Sequence, residues 1–245
     1  MRAGGWPTGI EQLIQEQKRM ASLVFPPWEG SLGSIRCGGV FVCYERGKRE
    51  AGKRGDWGWA ASVLIFPDGQ TQSFCVEGRT PFDYVPGCLA LREGPLLEEA
   101  LLGLGSLPDL LFVNATARDH PYRAGLALHL GFKLDIPSIG ITRKPLLAEG
   151  ALPGNKRGET SELRIGNQTV GFWLRTQDNK APLVVHPGYR IDFEKAKETV
   201  LFYTEKYRTP QPLRLARQLS RLLRAGMIRP SVLKDNDCDE KRGNC

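Results

Sequence analysis

The sequence predicts an α/β fold: a mixed central sheet that begins as an antiparallel meander and continues as parallel strands, flanked by helices. Three observations carry this reading. Three segments rich in β-branched and aromatic residues follow one another between residues 34 and 79. Two short, continuously apolar runs, "PDLLFVN" and "DIPSIGIT", bracket a helical pattern, as buried parallel strands joined by a crossover helix do. Two helical segments then close the domain, at 192–206 and 210–225.

Taken in order, "GIEQLIQEQKRMASL" (9–23) sets Ile10, Leu13, Ile14, Met20 and Leu23 at roughly helical spacing, with Thr8 as the expected cap. "SIRCGGVFVCYERG" (34–47) reads as a strand. Residues 56–69 and 70–79 read as two more, joined by a Pro-Asp-Gly turn of hairpin type. A helix follows from about Pro86 to Leu104, then the strand at 108–114, a helix over 122–134 ending near Gly131, and the strand at 135–142. A loop rich in Gly, Pro and Lys covers 143–160, and two or three short strands fill 162–186. Neither a repeat nor a linker divides this series. One domain is expected over 1–225, with a frayed tail over 226–245. In its order the series resembles the ribonuclease H-like fold.

Bulk properties narrow the function classes. A chain of 245 residues, 41% hydrophobic and 25% charged, is that of a globular protein rather than a disordered one. No apolar run is long enough to span a bilayer, so no membrane partner is expected. The opening "MRAGGWPTGIEQLIQEQKRM" lacks a basic-then-apolar secretory layout, and the expected location is the cytoplasm. A formal charge of +7 suits a polyanionic partner or a plain basic surface. Cys37, Cys43, Cys75 and Cys88 lie in apolar segments and read as small core residues. Cys238 and Cys245 fall in the tail, and no C-x-x-C pair signals zinc or redox chemistry.

Longer motifs carry a specific resemblance. "YVPGCLALREGPLLEEAL" (84–101), "LPDLLFVNATARDHPYRAGLALHLGFKLDIPSIGITRKPL" (107–146), "PGYRIDFEKAKETV" and "TEKYRTPQPLRLARQLS" are similar, in the same order, to segments of the endonuclease V family. The similarity runs from about residue 8 to 222. It implies a Mg²⁺-dependent enzyme cutting DNA or RNA near deaminated bases, chiefly hypoxanthine, the base of inosine, as in DNA repair. The family's metal ligands are an Asp on the first strand, a helix Glu, a second Asp after the fourth strand, and a His or Asp near the C-terminal helix.

Only one of these is retained, at Glu93. The resemblance places the first-strand Asp at Phe41, the second Asp at Asn114 and the His of a Gly-His-Arg motif at Tyr189. The family's Lys falls on Arg143, beside Lys144. Mg²⁺ takes hard oxygen ligands, usually carboxylates. Asn114 offers a neutral oxygen and Phe41 none, so the metal set is Glu93 and Asn114 if any, and no cofactor is expected unless the site has been rebuilt. Glu93 also has a plain reading, as a carboxylate favoured near a helix start. The substrate-binding set implied is the turn Tyr84, Val85, Pro86 and Gly87, which the family pushes into the duplex beside a displaced base, together with Ala115, Ala117, His120, Arg143 and Lys144. Ala115 and Ala117 stand where the family has glycines, and their methyls are expected to reshape the base pocket.

Asp119 and His186 are candidates to rescue a metal site, and His129 reads as a packed core histidine. Basic residues Arg46, Lys48, Arg49, Lys53 and Arg54 form either a phosphate-contacting arm or a solvated turn. Arg214, Arg217, Arg221 and Arg224 share one face of the final helix, open to the same two readings. The main expectation is a monomeric pseudoenzyme that binds DNA or RNA, with a protein partner left open. The alternatives are an active endonuclease with a rearranged site and a protein-interaction module without nucleic-acid affinity.

Overall fold

The computed structural model describes residues 5–45 and 52–231, built as eight strands and five helices. The strands are β1 (Cys37–Tyr44), β2 (Trp57–Ile65), β3 (Thr71–Arg79), β4 (Leu110–Val113), β5 (Ser138–Thr142), β6 (Thr160–Ile165), β7 (Gln168–Leu174) and β8 (Leu183–Pro187). The helices are α1 (Ile10–Ser22), α2 (Leu89–Leu102), α3 (Leu126–Leu134), α4 (Phe193–Phe202) and α5 (Gln211–Arg224). All strands join one sheet in the order β3-β2-β1-β4-β5-β8-β7-β6. The meander β1–β3 is antiparallel, β1, β4 and β5 run parallel, and β8, β7 and β6 return antiparallel.

The two faces of β1 follow from its alternation. Val40 and Val42 join the core cluster that holds α2, including Leu91, Leu97 and Leu101. Cys37 and Phe41 point the other way, toward Leu213 and Ala216 of α5. Gly39 lets α5 come close: a Cβ there would meet the backbone of Pro212 and Leu213. Cys37, Cys43, Cys75 and Cys88 are free and buried, as their apolar neighbours suggest.

Several expected boundaries shift, each for a local reason. Gly9, not Thr8, caps α1; the Thr8 N–H instead reaches Gln12 Oε1 at 3.0 Å. The start of α2 moves from Pro86 to Leu89 because residues 84–88 form a turn closed by Cys88 N–H to the Val85 carbonyl. Gly131 does not end α3. It gives clearance to Ser138, and the helix stops at Asp135, which takes the left-handed conformation (φ 54°). Of the two or three short strands expected over 162–186 there are three, the first beginning at Thr160. The first residues of the expected frayed tail, up to Ser231, are held in place. Ile228 packs near Cys75 and Leu223, and Ser231 bonds both ways to the Cys75 backbone, N–H to carbonyl at 2.8 Å and N–H to Oγ at 3.0 Å. Cys238 and Cys245, with Arg46, Lys48 and Arg49 of the basic stretch, lie outside the described residues.

Candidate functional site

Because β1, β4 and β5 are parallel, their carboxyl ends open at one edge of the sheet. The chain there presents Phe41–Tyr44, Asn114 and Thr142–Lys144. The crevice outside such strand ends is where open α/β sheets bind ligands. The antiparallel return of β2 brings β3, and after it the Tyr84–Gly87 turn, to the same edge.

Glu93 stands on the α2 side of this edge. It lies in the second turn of α2, beyond the free N–H groups, so a helix-start role does not explain it. Its neighbour Arg92 is 3% exposed and organises the surroundings. The guanidinium donates to the carbonyls of Lys53 and Phe82 at 2.9 Å, and pairs with Asp56 at 3.0 Å. It also stacks over the Tyr44 ring at 4.6 Å. The Tyr44 hydroxyl faces Glu93 without a well-aligned hydrogen bond, yet it favours the charged carboxylate, as does Arg92. Burial outweighs both and raises the Glu93 pKa to about 7. Glu93, Tyr44, Trp57, Tyr84 and Arg92 line a cleft of about 270 Å³.

Phe41 stands on the α5 side. The Arg217 guanidinium lies over its ring, 5.4 Å from the centroid. Where the resemblance implies a carboxylate beside a metal, this chain has an aromatic ring under a cation. Burial lowers the Arg217 pKa, and the charges of Arg143, Arg221 and Arg208 lower it further. Arg208 is lowered the same way, by burial and then by Arg143. Three segments therefore converge: the loop after β5, the turn before α5, and α5 itself. Asn114 is exposed at the end of β4. The arginines of α5 are not a plain solvated stripe. Arg214 stacks on Tyr207 at 4.0 Å, and Arg224 donates to the Tyr44 carbonyl at 3.0 Å.

Other expected site residues have structural tasks. Gly87 takes φ +80°, and its carbonyl is 3.1 Å from His120 Nε2. His120 Nδ1 accepts the Tyr122 N–H at 3.2 Å, so Nε2 carries the proton and donates to Gly87. His120 thereby positions the turn, from which Tyr84 projects 47% exposed. Ala115 and Ala117 are buried in the α2-side core, so their methyls fill the interior instead of narrowing an open pocket. Asp119 is fully buried, and its two oxygens accept the N–H groups of Leu146, Leu147 and Ala148 at 2.7, 2.8 and 2.9 Å. It anchors the loop carrying Arg143 and Lys144 and is not free to rescue a metal.

His186 is also fully buried, at 2.9 Å from Thr142 Oγ1, and burial holds its pKa down to about 4. Tyr189 is at the wrong end of the sheet. Its carbonyl accepts the N–H of Ser138 at the start of β5, its ring packs on Phe25 and Phe132, and its hydroxyl donates to Asp135 at 2.7 Å. His129 is a core residue, 4.8 Å from the Trp6 ring and 3.4 Å from Glu16. Among the described residues, no three His, Cys, Asp or Glu side chains form a group able to hold a metal ion. Sequence reasoning missed Tyr44 and Arg208, and it left Arg217 undistinguished among four helical arginines. The spacing on α5 marked the stripe, but only the register against Gly39 shows which arginine meets β1.

Strand order, crossover helices and a cleft at the carboxyl ends of β1, β4 and β5 define a ribonuclease H-like fold, the class to which many nucleic-acid-processing proteins belong. The Endonuclease V family model matches residues 37–218, and the chain belongs to that family. An Endonuclease V from Methanopyrus kandleri is 42% identical over 170 residues, covering 69% of this chain and 73% of that protein. The crystal structure of the Streptomyces avermitilis Endonuclease V superposes with a TM-score of 0.78 at 32% identity, covering 91% of this chain and 97% of that one. An Endonuclease V from Ciona intestinalis, in complex with a 24mer DNA containing an inosine followed by a ribo-adenosine, shares the fold (TM-score 0.71, 16% identity, 89% and 98% covered).

Proposed function

We propose that this chain binds DNA or RNA as an endonuclease V-like protein that no longer performs Mg²⁺-dependent phosphodiester cleavage. The observation that carries the proposal is the Phe41–Arg217 pair at the carboxyl end of β1. A divalent cation there would need anionic oxygen donors. The residues present do not fit one. Phe41 supplies no donor, Arg217 adds a positive charge, and Glu93 lies with Tyr44 on the α2 side. Asp119, the nearest substitute by sequence, has its oxygens taken by three backbone donors.

Binding is supported by different features. The Tyr84–Gly87 turn is held in place by His120, as a wedge into a base stack would need. Basic side chains gather at the same sheet edge, Arg143, Arg208, Arg217 and Arg221 having no ion-pair partner among the described residues. The Ciona relative holds inosine-containing DNA, and the same class of ligand is proposed here. The test is a titration of labelled single- and double-stranded oligonucleotides, with and without inosine, in Mg²⁺ and in Mn²⁺, reading binding and cleavage in the same samples. The expected result is salt-sensitive binding with intact strands. Nicking near inosine that Glu93→Gln abolishes would refute the loss of cleavage.

A further inference from the structure

Arg143, Arg208 and Arg217, with Arg221 beside them, form a cationic cluster that lacks a counter-charge among the described residues. Among the described residues, none of the four takes part in an ion pair, although other arginines do: Arg36 with Asp109 and Arg92 with Asp56. The four are close enough that burial and mutual repulsion lower the Arg208 and Arg217 pKa values. Arg217 is also partly withdrawn from water, and its Nε and that of Arg214 are buried without a hydrogen-bond partner. Buried donors left unpaired are costly, and each calls for an explanation. Like charges held together by a folded chain are explained most simply by an anion that joins them.

The geometry points to a phosphate clamp: we infer that Arg208 and Arg217, reached across the crevice by Arg143, grip a nucleic-acid phosphodiester directly, with no cation between. The guanidinium is a planar fork that matches two phosphate oxygens and stays charged in this setting. The Phe41 ring lies beneath Arg217, 5.4 Å from its guanidinium, a face-on contact that is compatible with gripping a phosphate by the edge of the fork. Gly39 fixes the clamp in place by seating α5 against β1. This inference rests on the proposed nucleic-acid binding and adds where the strand is held and that no metal mediates the contact.

The test is fluorescence anisotropy of the full chain with labelled oligonucleotides in EDTA, over a range of NaCl concentrations. Wild type, Arg217→Gln, Arg208→Gln and the distant Lys195→Gln on α4 are compared. Binding by the wild type is expected to survive EDTA. Each clamp variant is expected to flatten the slope of log K against log salt by about one, equivalent to roughly eightfold weaker binding near 0.1 M salt, while Lys195→Gln behaves as wild type. Wild-type slopes in both clamp variants of a protein that does bind oligonucleotides overturn the clamp and leave the proposed function intact. Loss of binding in EDTA overturns it too. If no oligonucleotide binds, the proposed function fails, and inorganic phosphate decides the clamp. Thermal stabilisation of wild type but not of Arg217→Gln keeps an anion site filled by free phosphate; equal or absent stabilisation removes it. Should Arg217→Gln fail to fold, the exposed Arg143→Gln is read in its place.

Discussion

Asp119→Ala is expected to be the most destabilising single change outside the apolar core. The carboxylate accepts three backbone N–H groups and is itself fully buried. Leu146 and Leu147 are exposed, so water can reach their freed N–H groups, at a cost of about 1 kcal/mol each. Ala148 is buried, and its N–H would be left unpaired in a dry site, costing about 2 kcal/mol. The sum is about 4 kcal/mol, or a fall in Tm on the order of 8–16 °C for a domain of this size. Asp119→Asn keeps one carbonyl oxygen in place and should lose roughly half as much. Urea unfolding would measure both, with the midpoint moving and the slope unchanged. A loss below about 1 kcal/mol in Asp119→Ala would refute the anchoring role. An equal loss in both variants would show that the charge matters and the three-donor geometry does not.

Three further changes test other parts of the site. Glu93 has its pKa raised from 4.5 to about 7, so the folded chain keeps a proton that the unfolded chain sheds; stability should fall as pH rises through that window, by up to about 3 kcal/mol before solvent screening. His129 and His186, held near 4 by burial, act in the opposite sense as pH falls from 6.5. Glu93→Gln should therefore turn a flattened profile into one that climbs from about pH 4 to 7, and an unchanged urea-midpoint profile would contradict the raised pKa. Gly39→Ala drives a methyl into the backbone of α5 and should cost about 3 kcal/mol by thermal melting, with weaker oligonucleotide binding as Arg217 shifts. Arg92→Met, close in volume, leaves the Phe82 carbonyl without its guanidinium donor, removes one of three donors to the Lys53 carbonyl and takes this cation from Asp56, and should cost about 3 kcal/mol in urea unfolding.

The sheet was legible because its signals are local. A continuously apolar "LLFV" reads as a buried strand, and the β-branched and aromatic content of β1 reads as another. Boundaries were less legible where a distant contact sets them. Gly131 looks like a helix stop until Ser138 is seen to occupy the space its side chain would need. At the site, motif position located Glu93, Phe41 and Asn114 at one edge of the sheet, but it says nothing of faces. That Glu93 keeps company with Tyr44 while Phe41 meets Arg217 depends on strand alternation and on how α5 docks. Tyr189 was misplaced for a related reason: it follows β8, which runs antiparallel to β5 and so delivers it to the opposite end of the sheet. Asp119 and His186 were judged by chemistry alone, when their hydrogen bonds already commit them elsewhere.

The short segment after α5 covers part of one margin of the sheet. β3 is an outer strand of the sheet, and an outer strand offers unpaired backbone groups to any other chain that can lie alongside. Ser231 occupies both polar groups of Cys75 in the middle of that strand. A chain cut after α5 would keep every residue of the cleft yet bare a templating edge. It is expected to self-associate in a concentration-dependent way, whereas one cut after Ser231 keeps the edge guarded.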